Sequence, residues 1–131
     1  MTFFADIEHD LMPHPRLTHG SKWAQSRGRS GEYLSNRNAL AWQFKAKMQG
    51  KAIAESCEVY AIIHVAHNRH ADIDNYLKTI FDALQAAGIV ENDHLIDFVQ
   101  ARVIRGAAKG RVYVICRSIA DAEKAVGKIK T

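Results

Sequence analysis

The sequence predicts an α+β fold in which helices pack on one face of a small mixed β-sheet. Three observations support this prediction. The length of 131 residues suits one domain, several short runs have the apolar character of strands, and two longer stretches show apolar residues at helical spacing. Because no repeat or linker interrupts the chain, residues 1–131 are expected to form a single domain.

The N-terminal third is predicted to contain a strand, a loop and a helix. Residues 2–8 have the character of a short strand. Residues 11–31 are rich in proline, glycine and basic side chains, which predicts a long loop that is either functional or flexible and solvated. A helix is then expected to begin near Ser35 or Asn36, either of which can cap it, and to end at Gly50.

The middle of the chain is predicted to supply most of the core. Trp42 and Phe44 are expected to be buried rather than to form a base-stacking surface. Residues 57–66 are apolar on both faces, which is typical of a central strand. A second helix is expected from Asp72 or Asp74 to residue 87, ended by a glycine. Its predicted buried stripe comprises Leu77, Ile80, Phe81 and Leu84.

The C-terminal part is predicted to hold two strands and a short helix. The strands cover residues 95–104 and 111–117. The glycine-containing connection at 106–110 indicates that they pair as a hairpin. A short helix is expected to begin at Ser118.

Composition narrows the functional classes. The formal net charge is +4 and the pI is about 9.2, which points weakly to a nucleic-acid partner. Cys57 and Cys116 each lie in an apolar run, as packed thiols do, so a reducing, cytoplasmic compartment is expected. The sequence shows neither a signal peptide nor a run long enough to span a bilayer, so no membrane association is expected.

The segment 72–78, Asp-Ile-Asp-Asn-Tyr-Leu-Lys, is the strongest chemical signal. Asp72 and Asp74 open a helix, and Lys78 shares a helix face with Asp74. Asp93 follows that helix and is expected to return to the same end of the sheet as Asp72. Three converging carboxylates are suited to one or two Mg²⁺ ions and to hydrolysis of a phosphodiester. Lys78 is expected to contact the scissile phosphate.

Two other interpretations of these residues stay open. In the first, the acids are helix caps and ion-pair partners in a non-catalytic DNA-binding module. In the second, the chain is a Mg²⁺-dependent phosphohydrolase acting on nucleotides. A zinc site formed by His64, His67 and His70 is less favoured, because one of these residues lies in a strand and two in a turn.

The pattern Asp72-x-Asp74-Asn75-x-x-Lys78, continued by Phe81-Asp82-Ala83-Leu84 and by Asn92-Asp93-x-x-Ile96, resembles the signature of the RusA family. Members of this family are Holliday junction resolvases of bacteria and prophages. The match covers residues 69–99, about a quarter of the chain. The resemblance implies a homodimeric, Mg²⁺-dependent endonuclease that cuts paired strands at four-way DNA junctions in recombination and repair.

The resemblance also implies residue roles. Asp72, Asp74 and Asp93 would be the catalytic, metal-binding acids, and Lys78 the essential lysine. Asn75 would support the helix or lie near the phosphate. The chain departs from the family at Asn92, where an acid is common, and at 69–71, where the basic residues before the first aspartate are arranged differently.

Basic residues outside the motif are expected to line the DNA path and to contact phosphates. For any one of them other than Arg69, ordinary solvated charge on the surface is the alternative interpretation. They occur in the predicted N-terminal loop, before the acids and around the predicted hairpin turn. They are Arg27, Arg29, Arg69, Arg102, Arg105, Lys109 and Arg111.

Overall fold

The computed structural model of the protein describes residues 2–15, 22–66, 71–121 and 123, with the backbone alone for 22–30. The elements are β1 (Thr2–Glu8), α1 (Lys22–Lys47), β2 (Cys57–Val65), α2 (Ile73–Ala86), a 3₁₀ turn (Asp93–Leu95), β3 (Ile96–Arg105) and β4 (Arg111–Ser118). The α+β class and the mixed sheet are therefore confirmed.

The four strands form one sheet in the order β1-β4-β2-β3. β4 is antiparallel to both β1 and β2, and β3 is parallel to β2. Alternate residues of β1, β2 and β4 point into a single core that the two helices cover. The prediction of a central strand at 57–66 is confirmed, because β2 lies between β4 and β3.

β3 and β4 do not form the predicted hairpin. The chain leaves β3, crosses the end of β2 and enters the sheet as β4 on the far side of that strand. The crossing is held by a hydrogen bond from the Ala107 N–H to the Val65 carbonyl, 3.0 Å long. Gly106 has a φ of +70°, a conformation that suits glycine at this turn. Five linking residues are enough to skip one strand, and sequence pattern alone does not distinguish this path from a hairpin.

β2, α2 and β3 form a parallel strand–helix–strand unit, and its geometry fixes where the chain returns. In the pairing register Cys57 lies opposite Ile96, and Val65 lies opposite Arg105. β3 therefore starts at the end of the sheet where β2 also starts. The segment before β3 lies at that end, and the segment after β2 lies at the other.

α1 begins at Lys22, well before the predicted start at Ser35 or Asn36, so part of the predicted loop is helical. Gly31 lies inside the helix on an exposed side. Tertiary contacts compensate for the weak helix propensity of this region. The Tyr33 hydroxyl donates a 2.6 Å hydrogen bond to Asp82 of α2. Burial raises the pKa of Tyr33, and this hydrogen bond raises it by a smaller amount.

Of the two aromatic residues predicted to be buried in α1, Phe44 is in the core and Trp42 is not. Phe44 is fully buried and packs edge-to-face on Phe3, with ring centroids 5.4 Å apart. Trp42 is 75 % exposed. Two residues correspond to about 200° around a helix, so the two rings point to opposite sides.

α2 confirms the predicted second helix. Its buried residues are Tyr76, Thr79, Ile80, Ala83 and Leu84, whereas Leu77 and Phe81 lie half-buried at the margin of the core. The buried face is therefore rotated slightly from the predicted stripe and centres on Tyr76. Gly88 has a φ of +77° and follows the C-cap, as predicted for the end of this helix.

Three further expectations concern the remainder of the chain. Cys57 and Cys116 are buried free thiols, and burial raises the pKa of both, which keeps them protonated and unreactive. Residues 119–121 are helical, and the rest of the predicted C-terminal helix lies largely outside the described residues. Within the described ranges, no helix is both long and apolar enough to cross a bilayer.

We expect Gly110→Ala to lower the free energy of unfolding by about 2–3 kcal/mol, the cost typical of overpacking. A Cβ at Gly110 would lie 2.5 Å from the Cα of Asp10 and 2.8 Å from the His9 carbonyl, both of which are backbone atoms. Urea unfolding measures the change. Gly31→Ala is the matched control, since its Cβ meets no atom within 4 Å and the helix should gain up to about 1 kcal/mol. Equal stability of the two variants would contradict this account.

Candidate functional site

Asp72 stands at the junction between the segment that follows β2 and the start of α2. It occupies the N-cap position with extended backbone angles, and its carbonyl accepts the N–H of Asn75 at 3.1 Å. Its side chain makes no capping hydrogen bond. The structural interpretation of Asp72 as an ordinary side-chain cap is therefore not supported.

Asp74 and Lys78 lie one turn apart on the exposed side of α2. None of the ion pairs found among the described residues joins these two side chains. The opposite side of the helix carries Tyr76 and Ile80, both fully buried. A packed helix thus holds a carboxylate and a cation at the surface. Side chains on such a helix are positioned more precisely than side chains on a loop, which suits them to bind a ligand.

An N-terminal arm, residues 9–14, binds the first half of α2. The His14 N–H donates to the Asn75 carbonyl at 3.0 Å, and the Thr79 hydroxyl donates to the Met12 carbonyl at 2.7 Å. Leu11 is buried beneath the arm. The backbone carbonyl of Asn75 therefore fixes the arm beside the acidic helix start.

Asn36 holds the same arm from the side of α1. Its Oδ1 accepts from the Met12 N–H at 2.9 Å and from His9 Nε2 at 3.1 Å, and its Nδ2 donates to the Asp10 carbonyl at 2.8 Å. Asn36 was a predicted cap, but it lies in the middle of α1 and its side chain is used in tertiary contacts. Because Oδ1 only accepts, His9 carries its proton on Nε2.

We expect the protein to lose stability as the pH falls below about 6.5, partly through His9. Burial lowers the pKa of His9, so the folded state keeps the ring neutral at pH values where the unfolded chain binds a proton. The unfolded state then holds more protons, and acidification favours unfolding. Urea unfolding at pH 8 and pH 5 should show a smaller difference for His9→Gln than for the wild type. Identical differences would contradict this assignment.

Asp93 lies far from Asp72 and Asp74 within one chain. Its N–H donates a 2.9 Å hydrogen bond to the side-chain oxygen of Gln85, near the end of α2. α2 has 14 residues and is therefore about 20 Å long, with Asp72 at its start. The expected return of Asp93 to the same end of the sheet is wrong, because β3 is parallel to β2.

The acids consequently do not gather in a single chain. Among the described residues, no group of three or more His, Cys, Asp or Glu side chains is placed to hold a metal ion. Asn92, where the family commonly has an acid, caps the 3₁₀ turn by accepting the His94 N–H at 3.1 Å. Its amide has a local structural role, which the spacing of the motif did not reveal.

Two predicted DNA-contacting residues, Lys109 and Arg111, lie at the end of the sheet where β2 ends. Lys109 is 3.5 Å from Glu8, and both side chains are largely exposed. Arg111 binds both carboxylate oxygens of Asp6, at 2.7 and 2.9 Å, which lowers the pKa of Asp6 and raises that of Arg111. Lys109 is thus the more available of the two cations.

The side chains of Arg27 and Arg29 lie outside the described residues, as does the whole of Arg69. His67 and His70, two of the three residues of the less favoured zinc site, also lie outside the described residues. Within the described part of the chain, His64 contacts the ring of Tyr113, with centroids 5.9 Å apart.

Arg105 makes a contact that the sequence did not predict. It was expected only to bind DNA. It ends β3, beside the end of β2, and its guanidinium donates a 2.7 Å hydrogen bond to the Ala71 carbonyl. The contact fixes the backbone immediately before Asp72. Recognition that β3 is parallel to β2 would have placed Arg105 here.

Comparison with known proteins identifies the family. The family model described as Endodeoxyribonuclease RusA matches residues 12–117, which include every acid of the motif. The chain therefore belongs to the RusA family of endodeoxyribonucleases. It is also 31 % identical, over 85 residues, to the crossover junction endodeoxyribonuclease RusA of Aquifex aeolicus (strain VF5). That similarity covers 64 % of this chain and 66 % of the relative, so the chain spans just under two thirds of the length of the relative.

Proposed function

We propose that the protein is a Mg²⁺-dependent endodeoxyribonuclease that resolves Holliday junctions by paired phosphodiester cleavage in DNA recombination and repair. It acts as a single domain, assembled as a homodimer, in the cytoplasm. The observation that carries the proposal is the family match, which extends over most of the chain and contains Asp72, Asp74, Lys78 and Asp93. The name of the Aquifex relative agrees with a function at crossover junctions.

The donor atoms at the start of α2 fit a Mg²⁺ ion. Asp72 and Asp74 present two exposed carboxylates at the start of α2. Mg²⁺ in phosphoryl-transfer sites is commonly held by one or two carboxylates together with water and substrate phosphates. When bound, such an ion activates water and offsets the charge that develops on the phosphate.

Because Asp93 lies far from the other two acids, the proposed site includes residues of a second chain. β2 has nine residues and so spans about 30 Å, with Asp72 beyond one end and Asp93 beyond the other. A carboxylate so far away cannot share an ion with Asp72 in the same chain. We infer that Asp93 completes the Asp72–Asp74 site of the partner in a twofold dimer. Two such composite sites supply the two cuts that resolution needs.

Lys78 is the proposed contact to the DNA phosphate. Its exposed side chain follows Asp74 by one turn of α2 and has no ion-pair partner among the described residues. An ammonium group beside the scissile phosphate stabilises negative charge as it accumulates in the transition state. Arg105 acts as a positioning residue, because it holds the Ala71 carbonyl next to Asp72.

The cations at the same end of the sheet extend the phosphate-binding surface. Lys109 forms an exposed pair with Glu8, and such pairs contribute little to stability, so Lys109 exchanges its partner for a phosphate at small cost. Arg111 donates hydrogen bonds from Nε and Nη2 to Asp6, so it is a weaker candidate for a phosphate contact than predicted. Arg27, Arg29 and Arg69 stay in the proposal on sequence grounds.

A cleavage assay tests the proposed function. The protein should cut a synthetic four-way junction when Mg²⁺ is present, should be inactive in EDTA, and should leave an unbranched duplex of the same sequence intact. Binding of the junction without any cleavage at millimolar Mg²⁺ would favour the non-catalytic DNA-binding module instead.

A further inference from the structure

Trp42 is the most exposed large apolar side chain in the part of the molecule that the structure describes. Its exposed fraction of 75 % exceeds that of every other large apolar residue there. An indole ring in water gives up the stabilisation that its large apolar surface would bring in the core. Single apolar side chains nevertheless occur on the surface of most proteins, so the surroundings of the ring decide whether it has a role.

Trp42 forms one wall of a groove between the two helices. The groove has a volume of about 220 Å³. It is lined by Asn38, Ala41, Trp42, Lys45, Ala86 and Ala87. The three alanines carry only a methyl group each, so the space beside the indole ring stays open. Pockets for drug-sized ligands measure about 300–1,000 Å³, so this smaller groove suits a single flat ring.

The side of the groove that α1 supplies is polar and basic. Asn38 precedes Trp42 by four residues and Lys45 follows it by three, so both exposed side chains are neighbours of the ring on one helix face. None of the ion pairs found among the described residues involves Lys45. Residues 33–54 contain four basic side chains and no acidic one. The charge around Trp42 therefore favours an anionic partner.

These surroundings favour a nucleobase over a segment of another protein. Aromatic residues that bind a protein lie within a larger apolar area, whereas Trp42 is flanked by an amide and an ammonium group. A ring for the base and a cation for its phosphate are the usual elements of a site for unpaired nucleic acid. The far wall is the C-terminal end of α2, whose partial negative charge suits a neutral base better than a phosphate.

We propose that this groove binds one unpaired base of a DNA junction, which stacks on the indole ring of Trp42 while its phosphate lies beside Lys45. Strands change partners at the centre of a four-way junction, so the base stack is interrupted there. A base leaves the helix at the lowest cost where its pairing or stacking is already weakened. The choice of branched DNA as the ligand rests on the proposed function.

The groove lies at the end of α2 where Asp93 is held. Ala86 and Ala87 directly follow Gln85, whose side-chain oxygen accepts the N–H of Asp93 at 2.9 Å. In the proposed composite site Asp93 belongs to the active centre, so Trp42 of the same chain contacts a base close to the phosphate that is cut. A stacked base fixes the position of that strand during cleavage.

The fluorescence of Trp42 in the full chain tests the proposal. The sequence has two tryptophans, so Trp23→Phe leaves Trp42 as the single emitting indole. A saturating four-way junction in EDTA, where it is bound but not cut, should quench this emission by at least about half, because the ring then stacks on a base. Emission that stays unchanged at saturation would overturn the proposal.

The affinity for the same junction in EDTA provides a second test. Trp42→Ala should weaken binding about 10-fold or more, and Trp42→Phe, which keeps a ring, should stay within about threefold of the wild type. Leu34→Ala is the matched control, since it removes another exposed apolar side chain from α1 and should bind normally. Lys45→Ala should reduce the slope of log affinity against log salt by about 0.9, the contribution of one phosphate contact.

Circular dichroism establishes that each variant is folded. Wild-type affinity of Trp42→Ala would contradict the proposal. So would a change in the molecular mass of Trp42→Ala without DNA, because the ring would then contact protein. Since neither test uses Mg²⁺, quenching by a junction that the protein fails to cleave when Mg²⁺ is added would overturn the proposed function and leave the base-binding groove standing.

Discussion

Asp74→Asn should reduce Mg²⁺-dependent cleavage of a four-way junction by at least about 1,000-fold while the protein still binds the junction. The substitution keeps the size of the side chain and removes one of the two carboxylate charges at the start of α2. An ion held by few protein ligands depends strongly on each of them. Binding of DNA should be equal or slightly tighter, because a negative charge near the phosphates is lost.

Stability separates this effect from misfolding. Asp74 is exposed in the first turn of α2, so its loss should cost about 0.5 kcal/mol through the helix dipole and no more. Glu32→Gln is the matched control: it removes one exposed acid from α1, outside the proposed metal site, and should keep wild-type cleavage. Cleavage by Asp74→Asn within tenfold of the wild type would exclude Asp74 from the active site.

Much of the fold was predictable because its elements carry strong local patterns. β2 is apolar on both faces, and α2 has a clear buried side with a glycine after its end. The start of α1 was missed because helix propensity there is low and the stabilising contacts, such as Tyr33 with Asp82, join residues 49 apart in sequence. Contacts of that range leave no periodic signal in the chain.

The local sequence pattern predicted the residues of the candidate site but not how the chain brings them together. The residues at the start of α2 were identified from spacing, and the structure places Asp74 and Lys78 together on the exposed side of one helix. The position of Asp93 was mispredicted, although the order strand, helix, strand already implied a parallel return. Such a unit delivers the chain to the beginning of the first strand, not to its end. Strand pairing, rather than secondary structure, determines at which end of the sheet each acid lies.

A mixture of two inactive variants should recover cleavage if the site is shared between chains. Asp74→Asn and Asp93→Asn should each be inactive alone, since every composite site in either homodimer lacks one acid. After the subunits are exchanged, about half of the dimers contain one chain of each kind. In these mixed dimers both substitutions fall in the same site, and the other site keeps all its acids. About a quarter of all active sites in the mixture are then intact. The rate at which junctions are nicked should therefore reach up to about a quarter of the wild-type rate.

The product and a control mixture make the result specific. With one intact site per mixed dimer, the junction should be cut on one strand, and paired cuts should be rare. Asp72→Asn mixed with Asp74→Asn should stay inactive, because these two acids belong to the same end of α2 and every site in every dimer then lacks one of them. If affinity-tagged chains show that mixed dimers form, yet the first mixture remains inactive, the three acids do not meet across the twofold axis. Asp93 would then have a role outside the metal site.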